Sequence, residues 1–245
     1  MHFGDQEDVF PYGTGAADGL RFPERAAGQV LAALKRVGLE VKSCEALDAG
    51  CAVGGASFAM ARAGLARVDG IDFSEAFVNA ARTLQQKGSL DYSTLVEGTR
   101  IESRAAHVDL GTSAPIRFSQ GDACALELLR DGGTLQAGGY DAVLASNLLC
   151  RLPRPRDFLR TCSAWAVKPG GVLILLTPFS WLEQWTTREQ WIGGGDSVSS
   201  DELAREMQAF GFQLESRADV PFLIREHARK YQYGVSECTV WQKQK

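Results

Sequence analysis

The sequence lacks most of the features that mark metal-binding and nucleic-acid-binding proteins. It has three histidines and six cysteines, and no two cysteines form a C-x-x-C pair. A structural zinc site needs such ligands at short spacing, so we expect no structural metal. No run of lysine and arginine is longer than two residues, and the formal net charge is −4. Because nucleic-acid binding usually requires a basic face, this charge pattern argues against a nucleic-acid partner.

Long hydrophobic runs are also missing. The longest continuous apolar stretch, Val172–Leu176, is far shorter than the roughly 20 residues that cross a bilayer. The first ten residues, MHFGDQEDVF, are acidic and lack the apolar centre of a secretory signal peptide. We therefore expect a cytoplasmic protein with reduced cysteines and no membrane partner. A hydrophobic fraction of 45% over 245 residues is enough for one α/β domain, residues 1–245.

A glycine-rich turn between two apolar runs is the most informative feature that the sequence does contain. Ala46–Ser57 reads ALDAGCAVGGAS, and Arg67–Ser74 reads RVDGIDFS. Glycine lets the backbone approach a ligand, and an acidic residue that ends the next strand, here Asp72, can accept from ribose hydroxyls. The two segments therefore predict a nucleoside-binding βαβ unit.

The loop departs from the dinucleotide-binding fingerprint. That fingerprint is G-x-G-x-x-G, whereas Ala52 stands here at the second glycine position. Asp48 would also bring a carboxylate near the phosphates of a dinucleotide, which like charge disfavours. A ligand with an ammonium group and a sulfonium suits this loop better. We therefore expect S-adenosyl-L-methionine (SAM); the alternatives are a nicotinamide cofactor and a glycine loop that only makes a tight turn.

Strands and helices alternate along the rest of the chain. Further strands are predicted at Ile116–Gln120, Asp141–Ser146, Gly171–Thr177, Phe212–Arg217 and Ser236–Trp241, and further helices at Asp157–Val167 and Asp201–Phe210. We expect Ser200 to cap the last helix, Gly211 to end it, and Lys168–Gly171 to form a turn. The alternation predicts an α/β fold, a doubly wound seven-stranded, mainly parallel sheet whose last strand is antiparallel.

Two segments lie outside this minimal plan. Met1–Arg25 is rich in glycine and aromatic residues, and we expect it to be a lid, with an ordered surface coil as the alternative. Leu90–Pro115 is a polar insertion. Within it, Tyr92–Ile101 contains Gly98 and predicts an added hairpin, with a plain loop as the alternative.

The glycine loop, the acidic strand end and a later Gly-Asp-Ala, in this order, resemble the class I SAM-dependent methyltransferases, whose fold is Rossmann-like. Ligands of open α/β sheets bind at the carboxyl ends of the strands. The resemblance implies contacts from the methionine part to Asp48, Gly50 and Asn147, from the ribose to Asp72, and from adenine to Phe73, Asp122 and the N–H of Ala123. A strand-end cap for Asp72 and a core position for Phe73 are the alternatives.

Three segments are expected to surround the transferred methyl group, because they follow or cover the carboxyl ends of strands. They are Tyr12–Arg25, Pro178–Trp191 and Pro221–Tyr233. Their mixture of aromatic and charged side chains suits a small zwitterionic acceptor. The alternative is that the rings fill the core and the charges form a solvated helical face. The candidate acceptor contacts are Tyr12, Phe179, Arg225, Glu226 and His227.

Nearly the whole chain, including ASNLLCRLPRPRDFL, TPFSWLEQWT and PFLIREHARKYQYGVSECTVWQK, resembles the mercaptohistidine N-methyltransferase domain of ovothiol biosynthesis. In that family this domain follows an iron-dependent sulfoxide synthase. The resemblance implies methyl transfer from SAM to an imidazole nitrogen of 5-thiohistidine, giving ovothiol A, with a sulfoxide synthase domain or protein supplying the substrate. Another small amine, thiol or histidine derivative, or a non-catalytic SAM-binding role, are the alternatives.

The chemistry of this transfer sets the demands on the protein. Transfer from a sulfonium is an in-line displacement, so alignment is the main task. A neutral imidazole nitrogen has a lone pair and needs only the right tautomer, which an acceptor on its other nitrogen would fix. Glu226, His227 or Tyr12 could be that acceptor, and Asn147 could also reach the substrate. The candidate catalytic residues are Asn147, His227 and Tyr12.

Overall fold

A seven-stranded sheet runs through the computed structural model, which describes residues 15–109 and 115–245. Its strands are β1 (Glu45–Ala49), β2 (Arg67–Asp72), β5 (Ile116–Gln120), β6 (Tyr140–Ser146), β7 (Val167–Thr177), β8 (Phe212–His227) and β9 (Lys230–Lys243). Two further strands, β3 (Ser89–Glu97) and β4 (Arg100–His107), form a separate hairpin. The spatial order is β5-β2-β1-β6-β7-β9-β8, and β9 is antiparallel to both neighbours. The predicted doubly wound sheet with an antiparallel last strand is confirmed.

Helices cover both faces of this sheet. They are α1 (Phe22–Arg36), α2 (Gly55–Arg62), α3 (Glu75–Lys87), α4 (Leu126–Asp131), α5 (Pro155–Thr161) and α6 (Ser199–Ala209). Helices α1–α3 bury their apolar side chains on one face, and α4–α6 on the other. Because the central strands are buried on both faces, β6 and β7 are apolar without alternation. All six cysteines are buried free thiols. No helix within the described residues combines the length and apolarity needed to cross a bilayer.

Local sequence signals set the helix ends that frame the carboxyl edge of the sheet. The Oγ of Ser74 accepts from the N–H of Phe77, so α3 begins at Glu75, three residues after the end of β2. Gly211, with φ of 81°, follows α6 and ends it as predicted. Ser200 does not cap α6. The helix already begins at Ser199, and the Ser200 Oγ donates to Glu237 instead.

Two other predicted boundaries are wrong. The predicted helix Asp157–Val167 is α5 followed by a π-helical turn at Cys162–Ala166, because Pro155 starts the helix two residues earlier. The predicted turn Lys168–Gly171 lies inside β7. It bulges out of the ladder, since the pairing of β6 with β7 jumps across it from Val167 to Val172.

The last two strands are much longer than predicted. Strands β8 and β9 pair from Phe212 to His227 and are joined by the two residues Ala228 and Arg229. Pro221–Tyr233 is therefore part of a hairpin, and its charges do not lie on a helical face. At the level where β7 ends, Thr177 pairs with Glu237, which pairs with Asp219. Strand β8 continues for eight residues beyond Asp219, about 25 Å along the strand.

The polar insertion contains the predicted hairpin. Strands β3 and β4 pair antiparallel around a turn with Gly98 at φ 52°. Residues 110–114 lie outside the described residues. The hairpin follows α3, which packs on β5 and β2, and it reaches β8 at the opposite edge of the sheet. There the N–H of Ala228 donates to the carbonyl of Val96 over 3.3 Å. The two hairpins therefore meet at their tips.

The described part of the proposed lid, residues 15–25, lies between the hairpin of β8 and β9 and the glycine loop. A 3-10 helix at Ala16–Gly19 precedes α1, so the last residues of Met1–Arg25 are helical. The rings of Phe22 and Phe222 are 5.6 Å apart. A Cβ placed on Gly55, at the start of α2, would lie 2.9 Å from Pro23. The first turn of α1 thus packs between the glycine loop and β8.

Candidate functional site

The carboxyl ends of the parallel strands converge where the chain order of the sheet reverses, between β1 and β6. Such a switch point is where open α/β sheets bind their ligands. Five of the predicted site residues stand one or two positions after the end of such a strand: Gly50, Phe73, Asp122, Asn147 and Phe179.

The glycine loop is fixed to the neighbouring strand. The N–H groups of Gly50 and Cys51 both donate to the carbonyl of Ile71, over 2.8 and 2.9 Å. Gly50 has φ of 75°, and a Cβ there would lie 2.9 Å from Leu148. Ala52 also adopts a positive φ, 47°, although it is not glycine. Glycine at position 50 therefore leaves the loop backbone without a side chain where a ligand would approach.

Asp72 connects this loop to the start of α3. One carboxylate oxygen accepts from the N–H of Ala52 and the other from the N–H of Ser74, each over 2.9 Å. The side chain is half-buried. A carboxylate has about four lone-pair sites, so each oxygen can still accept from a ribose hydroxyl.

The residues predicted to meet adenine lie beside Asp72. Phe73 is 77% exposed, which contradicts the alternative of a core position. Its carbonyl accepts from the side-chain amide of Gln120. One oxygen of Asp122 accepts from the N–H of Cys124 over 2.8 Å, and the other is left for a ligand. Among the described residues, the N–H of Ala123 has no acceptor.

Asp48 lies beneath the loop and is 1% exposed. Its Oδ2 accepts from the Oγ of Ser57 over 2.6 Å, and the backbone N–H of Ser57 also donates to this carboxylate. Burial raises the pKa of the Asp48 carboxyl to about 6, and the hydrogen bond from Ser57 opposes that rise. A nearby cation would favour the ionised form.

These residues fit S-adenosyl-L-methionine. The glycine loop and the ends of β2 and β5 contribute three carboxylates, Asp48, Asp72 and Asp122, and the segments 48–57, 72–74 and 121–123 contain no lysine or arginine. Acidic groups without a cation suit an ammonium and a sulfonium and disfavour a pyrophosphate. In the described residues no three histidine, cysteine or acidic side chains gather as metal ligands would.

Asn147 is held in an unusual conformation at the end of β6. Its φ is 53°, and its N–H donates to the carbonyl of Leu176 over 2.8 Å. Its Oδ1 accepts from the Oγ of Ser236, a fully buried residue of β9, over 2.6 Å. The amide NH₂ group is thereby left as a donor toward the carboxyl edge.

Phe179 also has a positive φ, 50°, which is rare for an aromatic residue. Its N–H donates to the Oγ1 of Thr177 over 3.1 Å. It borders a cavity of about 360 Å³, lined by Thr177, Pro178, Phe179, Val198, Ser199, Ser200, Asp219, Val235 and Glu237. Asp219 and Glu237 were not predicted from the sequence, although the alternation in Ser236–Trp241 indicates that Glu237 shares a face with Thr239.

Beyond Phe179, no residue of Pro178–Trp191 lines this cavity. The rings of Trp181 and Trp191 stack at 6.5 Å, and the Oγ1 of the buried Thr186 donates to the carbonyl of Leu152. Trp185 is 53% exposed. Thus Phe179 is the aromatic residue of this segment that borders the cavity.

The predicted acceptor contacts of the last hairpin lie at its tip. The carboxylate of Glu226 accepts from Lys230 over 2.7 Å and from Gln232 over 2.6 Å, and these two bonds lower the pKa of Glu226. The Nδ1 of His227 accepts from the N–H of Arg229 over 3.2 Å. A neutral imidazole that accepts at Nδ1 carries its proton on Nε2.

Arg225 borders a second cavity of about 360 Å³, where the hairpin tips meet. Tyr92, Thr94, Arg104 and Glu226 line it as well. Arg225 has no carboxylate partner among the described residues, since its recorded bond goes to the carbonyl of His227. Tyr12, predicted to close over this group, lies outside the described residues.

Comparisons with known proteins agree with this geometry. Residues 21–217 match the family described as methyltransferase domain. The chain is 30% identical over 161 residues to a ubiquinone biosynthesis O-methyltransferase of Xanthomonas axonopodis pv. citri (strain 306); the match covers 66% of this chain and 54% of that protein. The chain thus spans about half the length of the curated relatives that it matches.

Solved structures share the fold at low identity. The magnesium protoporphyrin IX methyltransferase of Synechocystis PCC 6803, with bound S-adenosylhomocysteine (SAH), has a TM-score of 0.54 and 20% identity over 93% of this chain and 90% of that one. A SAM-dependent methyltransferase of Methanosarcina mazei has a TM-score of 0.58 and 16% identity over 86% and 97%. The chain belongs to the methyltransferase domain family, its fold is Rossmann-like, and its site fits SAM as the cofactor.

Proposed function

We propose that this enzyme transfers the methyl group of SAM to an imidazole nitrogen of 5-thiohistidine, giving ovothiol A. The observation that carries the proposal is the donor character of Asn147. Its oxygen is occupied by Ser236, so its side chain offers N–H groups and no base. An imidazole nitrogen already has a lone pair and needs no base, whereas an alcohol or phenol has to lose a proton.

The neighbourhood of Asn147 supports a small aromatic acceptor. Phe179 follows the adjacent strand, and a cavity of about 360 Å³ adjoins it, a size at the lower end of small-molecule sites. An imidazole ring stacked on Phe179 would be restricted to one plane. We propose that Asn147 and Phe179 contact the acceptor ring.

The hairpin tip and the N-terminal segment supply the remaining proposed contacts. Arg225 is the proposed partner of the acceptor carboxylate, because a charge-assisted pair is the strongest simple contact available. This pairing requires the hairpin of β8 and β9 to bend over the strand ends, since Arg225 lies six residues beyond Asp219 on β8. Glu226 or Tyr12 would accept from the second ring nitrogen and fix the reactive tautomer, whereas the Nδ1 of His227 already accepts from Arg229 and its Nε2 would offer only a donor. Residues Met1–Arg25 would close over the site as a lid, in a single domain that spans residues 1–245.

Bound SAM supplies an electrophilic methyl group on a sulfonium sulfur. The task of the chain is therefore to hold two reactants in line. Asp72, Asp122 and the glycine loop would fix the nucleoside, and Asp48 would offset the positive charge of the donor. Asn147 stands between these residues and Phe179 and would orient the attacking nitrogen.

The substrate implies a supplier. Thiohistidine needs an oxidative carbon–sulfur bond formation, which this fold does not provide, so we propose that a sulfoxide synthase domain or protein acts before this one. The reaction itself would use a small amino acid in the cytoplasm and no nucleic acid or membrane partner.

A panel assay tests the proposal. The protein is incubated with SAM and, separately, with 5-thiohistidine, histidine, cysteine and a catechol, and SAH release is measured. Mass spectrometry and NMR of the product then identify the methylated atom. We expect turnover with thiohistidine at a ring nitrogen. Methylation of its sulfur, or turnover of another acceptor alone, would contradict the proposal.

Oxygen methylation is the second candidate, because a relative at 30% identity is named an O-methyltransferase. It predicts turnover of the catechol and a rate that rises with pH as the hydroxyl ionises. For an imidazole nitrogen, the rate should level off once the ring is neutral.

A further inference from the structure

A buried hydroxyl of the last strand holds the side chain of Asn147. The Oγ of Ser236 lies 2.6 Å from the Oδ1 of Asn147, and Ser236 is fully buried. A buried hydroxyl needs an acceptor for its proton, and Oδ1 is the acceptor found for Ser236 among the described residues. This bond fixes which end of the amide turns to Ser236, and the NH₂ group is the end left for a ligand.

A second tether fixes the backbone at this position. The N–H of Asn147 donates to the carbonyl of Leu176, and its φ of 53° lies in the left-handed region. Residues other than glycine seldom adopt this region, and those that do gather at functional sites. Because the backbone is bound to β7 and the side chain to β9, the amide has little freedom to rotate.

The tether also determines the side of the sheet to which the amide turns. Side chains alternate along a strand, so Ser236 shares a face of β9 with Cys238 and Val240, which pack with helices α1–α3. Cys51 of the glycine loop belongs to the same packed cluster. The side chain of Asn147 therefore turns to the side of the sheet that carries the glycine loop.

The acceptor of the proposed function has two nucleophiles that compete for the methyl group. Its sulfur ionises to a thiolate, the reactive form of a thiol, and its imidazole ring offers a nitrogen lone pair. Transfer to nitrogen forms a C–N bond as the C–S bond of the sulfonium breaks. The electron pair of that bond stays on the sulfur of SAH, and the ring releases the proton of its other nitrogen to solvent. Methylation of nitrogen therefore requires that the thiolate be kept from the methyl group.

We propose that the NH₂ group of Asn147, oriented by Ser236, donates to the acceptor sulfur and so directs methyl transfer to the ring nitrogen. This inference rests on the proposed function, since it assumes a thiohistidine acceptor. A neutral amide stabilises the thiolate without protonating it, which lowers the nucleophilicity of the sulfur. The same bond fixes which edge of the ring meets the methyl group. Ser236 acts through Asn147 and is a positioning residue.

The ratio of sulfur-methylated to nitrogen-methylated product measures this role. Each variant is incubated with SAM and 5-thiohistidine, and the products are treated with iodoacetamide and analysed by mass spectrometry. The two isomers have equal mass, but iodoacetamide alkylates the thiol that remains free in the nitrogen-methylated one. Both products arise from the same complex, so a loss of stability or of cofactor affinity lowers the two alike and leaves their ratio unchanged.

Five variants are compared with wild type. Ser236→Ala removes the tether, and Asn147→Gly removes the amide while tolerating the positive φ. The third variant combines these two changes, and Ser236→Thr keeps the hydroxyl. Thr239→Val is the matched control, because it removes another buried hydroxyl of β9, one that accepts from the indole N–H of Trp241 over 2.8 Å.

Sulfur methylation should appear where the amide is freed or removed. The ratio should rise about tenfold or more in Ser236→Ala and in Asn147→Gly, because a hydrogen bond to a charged group is lost. The double variant should match Asn147→Gly, because Ser236 acts only through Asn147. Ser236→Thr and Thr239→Val should keep the wild-type ratio.

A lower rate with an unchanged ratio in Ser236→Ala and Asn147→Gly would assign the pair a structural role and overturn the inference. An equal rise in Thr239→Val would also overturn it. Ser236→Cys, which has a similar volume and a weak donor, takes the place of Ser236→Ala if that variant does not fold.

Failure of the proposed function is distinguishable, because it is visible in the wild-type protein. No turnover of thiohistidine by wild type, or methylation of its sulfur, rejects the proposed function and this inference together. Nitrogen methylation by wild type with the same ratio in every variant rejects the inference alone.

Discussion

The Oγ of Ser57 lies 2.6 Å from the Oδ2 of Asp48, and both residues are buried beneath the glycine loop. A carboxylate in this position is expensive to ionise, and the hydrogen bonds from the hydroxyl and the backbone of Ser57 offset only part of the cost. The pair ties β1 to the first turns of α2. Asp48 therefore influences both the stability of the loop and the charge that a cationic ligand meets.

The raised pKa of Asp48 predicts a pH-dependent difference in stability. The carboxyl has a pKa of about 6 in the folded protein, against 3.8 ordinarily. Between these values the folded chain holds a proton that the unfolded chain has lost, so the free energy of unfolding falls as pH rises through this window and is level above it. Asp48→Asn has no carboxyl that titrates, so it lacks this pH dependence of the unfolding free energy. Its stability relative to wild type should rise by roughly 1–2 kcal/mol from pH 4.5 to pH 7.5.

Urea unfolding at the two pH values measures this difference. Asp91→Asn, an exposed change on β3, controls for the loss of one negative charge. A difference between Asp48→Asn and wild type that is the same at both pH values would show that Asp48 does not titrate in this window.

Asp72 should contribute directly to cofactor affinity. Asp72→Ala removes the acceptor of both ribose hydroxyls and should weaken SAM binding by roughly 1–3 kcal/mol, about 5- to 150-fold in Kd. Asp72→Asn keeps one acceptor oxygen and should lose less. Calorimetry measures Kd, and circular dichroism checks the fold. Wild-type affinity in Asp72→Ala would place the ribose elsewhere.

Phe73 should matter for the cofactor and hardly at all for folding. Its ring is 77% exposed, so Phe73→Ala removes little buried area. Loss of an aromatic contact with adenine should cost about 0.5–1.5 kcal/mol of SAM affinity. Phe77→Ala, one turn further along α3 and 48% exposed, is the matched control. Equal losses of affinity in the two variants would argue against stacking at Phe73.

Substitutions at the hairpin tip should change the kinetics with the acceptor and leave the affinity for SAM unchanged. Arg225→Ala or His227→Ala should raise KM for thiohistidine or lower kcat, with the Kd of SAM nearly unchanged, because both side chains lie at the tip of β8 and β9. Arg229→Ala in the adjoining turn is the control. If neither variant, nor Tyr12→Phe, alters the kinetics, these residues do not contact the acceptor.

Activity should survive removal of metals. In the described residues no three potential ligands gather, and the alignment of two bound reactants needs no Lewis acid. Incubation with a chelator followed by gel filtration should leave the rate of SAH release unchanged. A loss that one metal specifically restores would contradict this expectation.

The cofactor site was predictable because each of its residues follows an apolar run in the sequence. Asp72 ends β2 and Asp122 stands two residues after β5, and the switch point brings such strand ends together. No distant pairing had to be known. For the same reason Gly211 could be predicted as the end of α6, since a local backbone conformation decides it.

The acceptor side depends on contacts that are distant in sequence. Asp219 and Glu237 become neighbours only through the register of β8 with β9, and Ser236 meets Asn147 across 89 positions. Ser200 illustrates the same limit. It is a typical helix-cap residue, yet the helix already begins at Ser199, so Ser200 lies inside it and its hydroxyl donates to Glu237.

Strand β9 lies between β7 and β8 although it follows both in the chain. During synthesis, β8 consequently leaves the ribosome before the strand that separates it from β7 exists. Until β9 inserts, the edge of β7 is unpaired, and an exposed edge invites aggregation. Ser236 and Glu237 belong to β9, the last strand to be synthesised. The hydrogen bond from Ser236 to the side chain of Asn147 can therefore form only after this last strand has been synthesised.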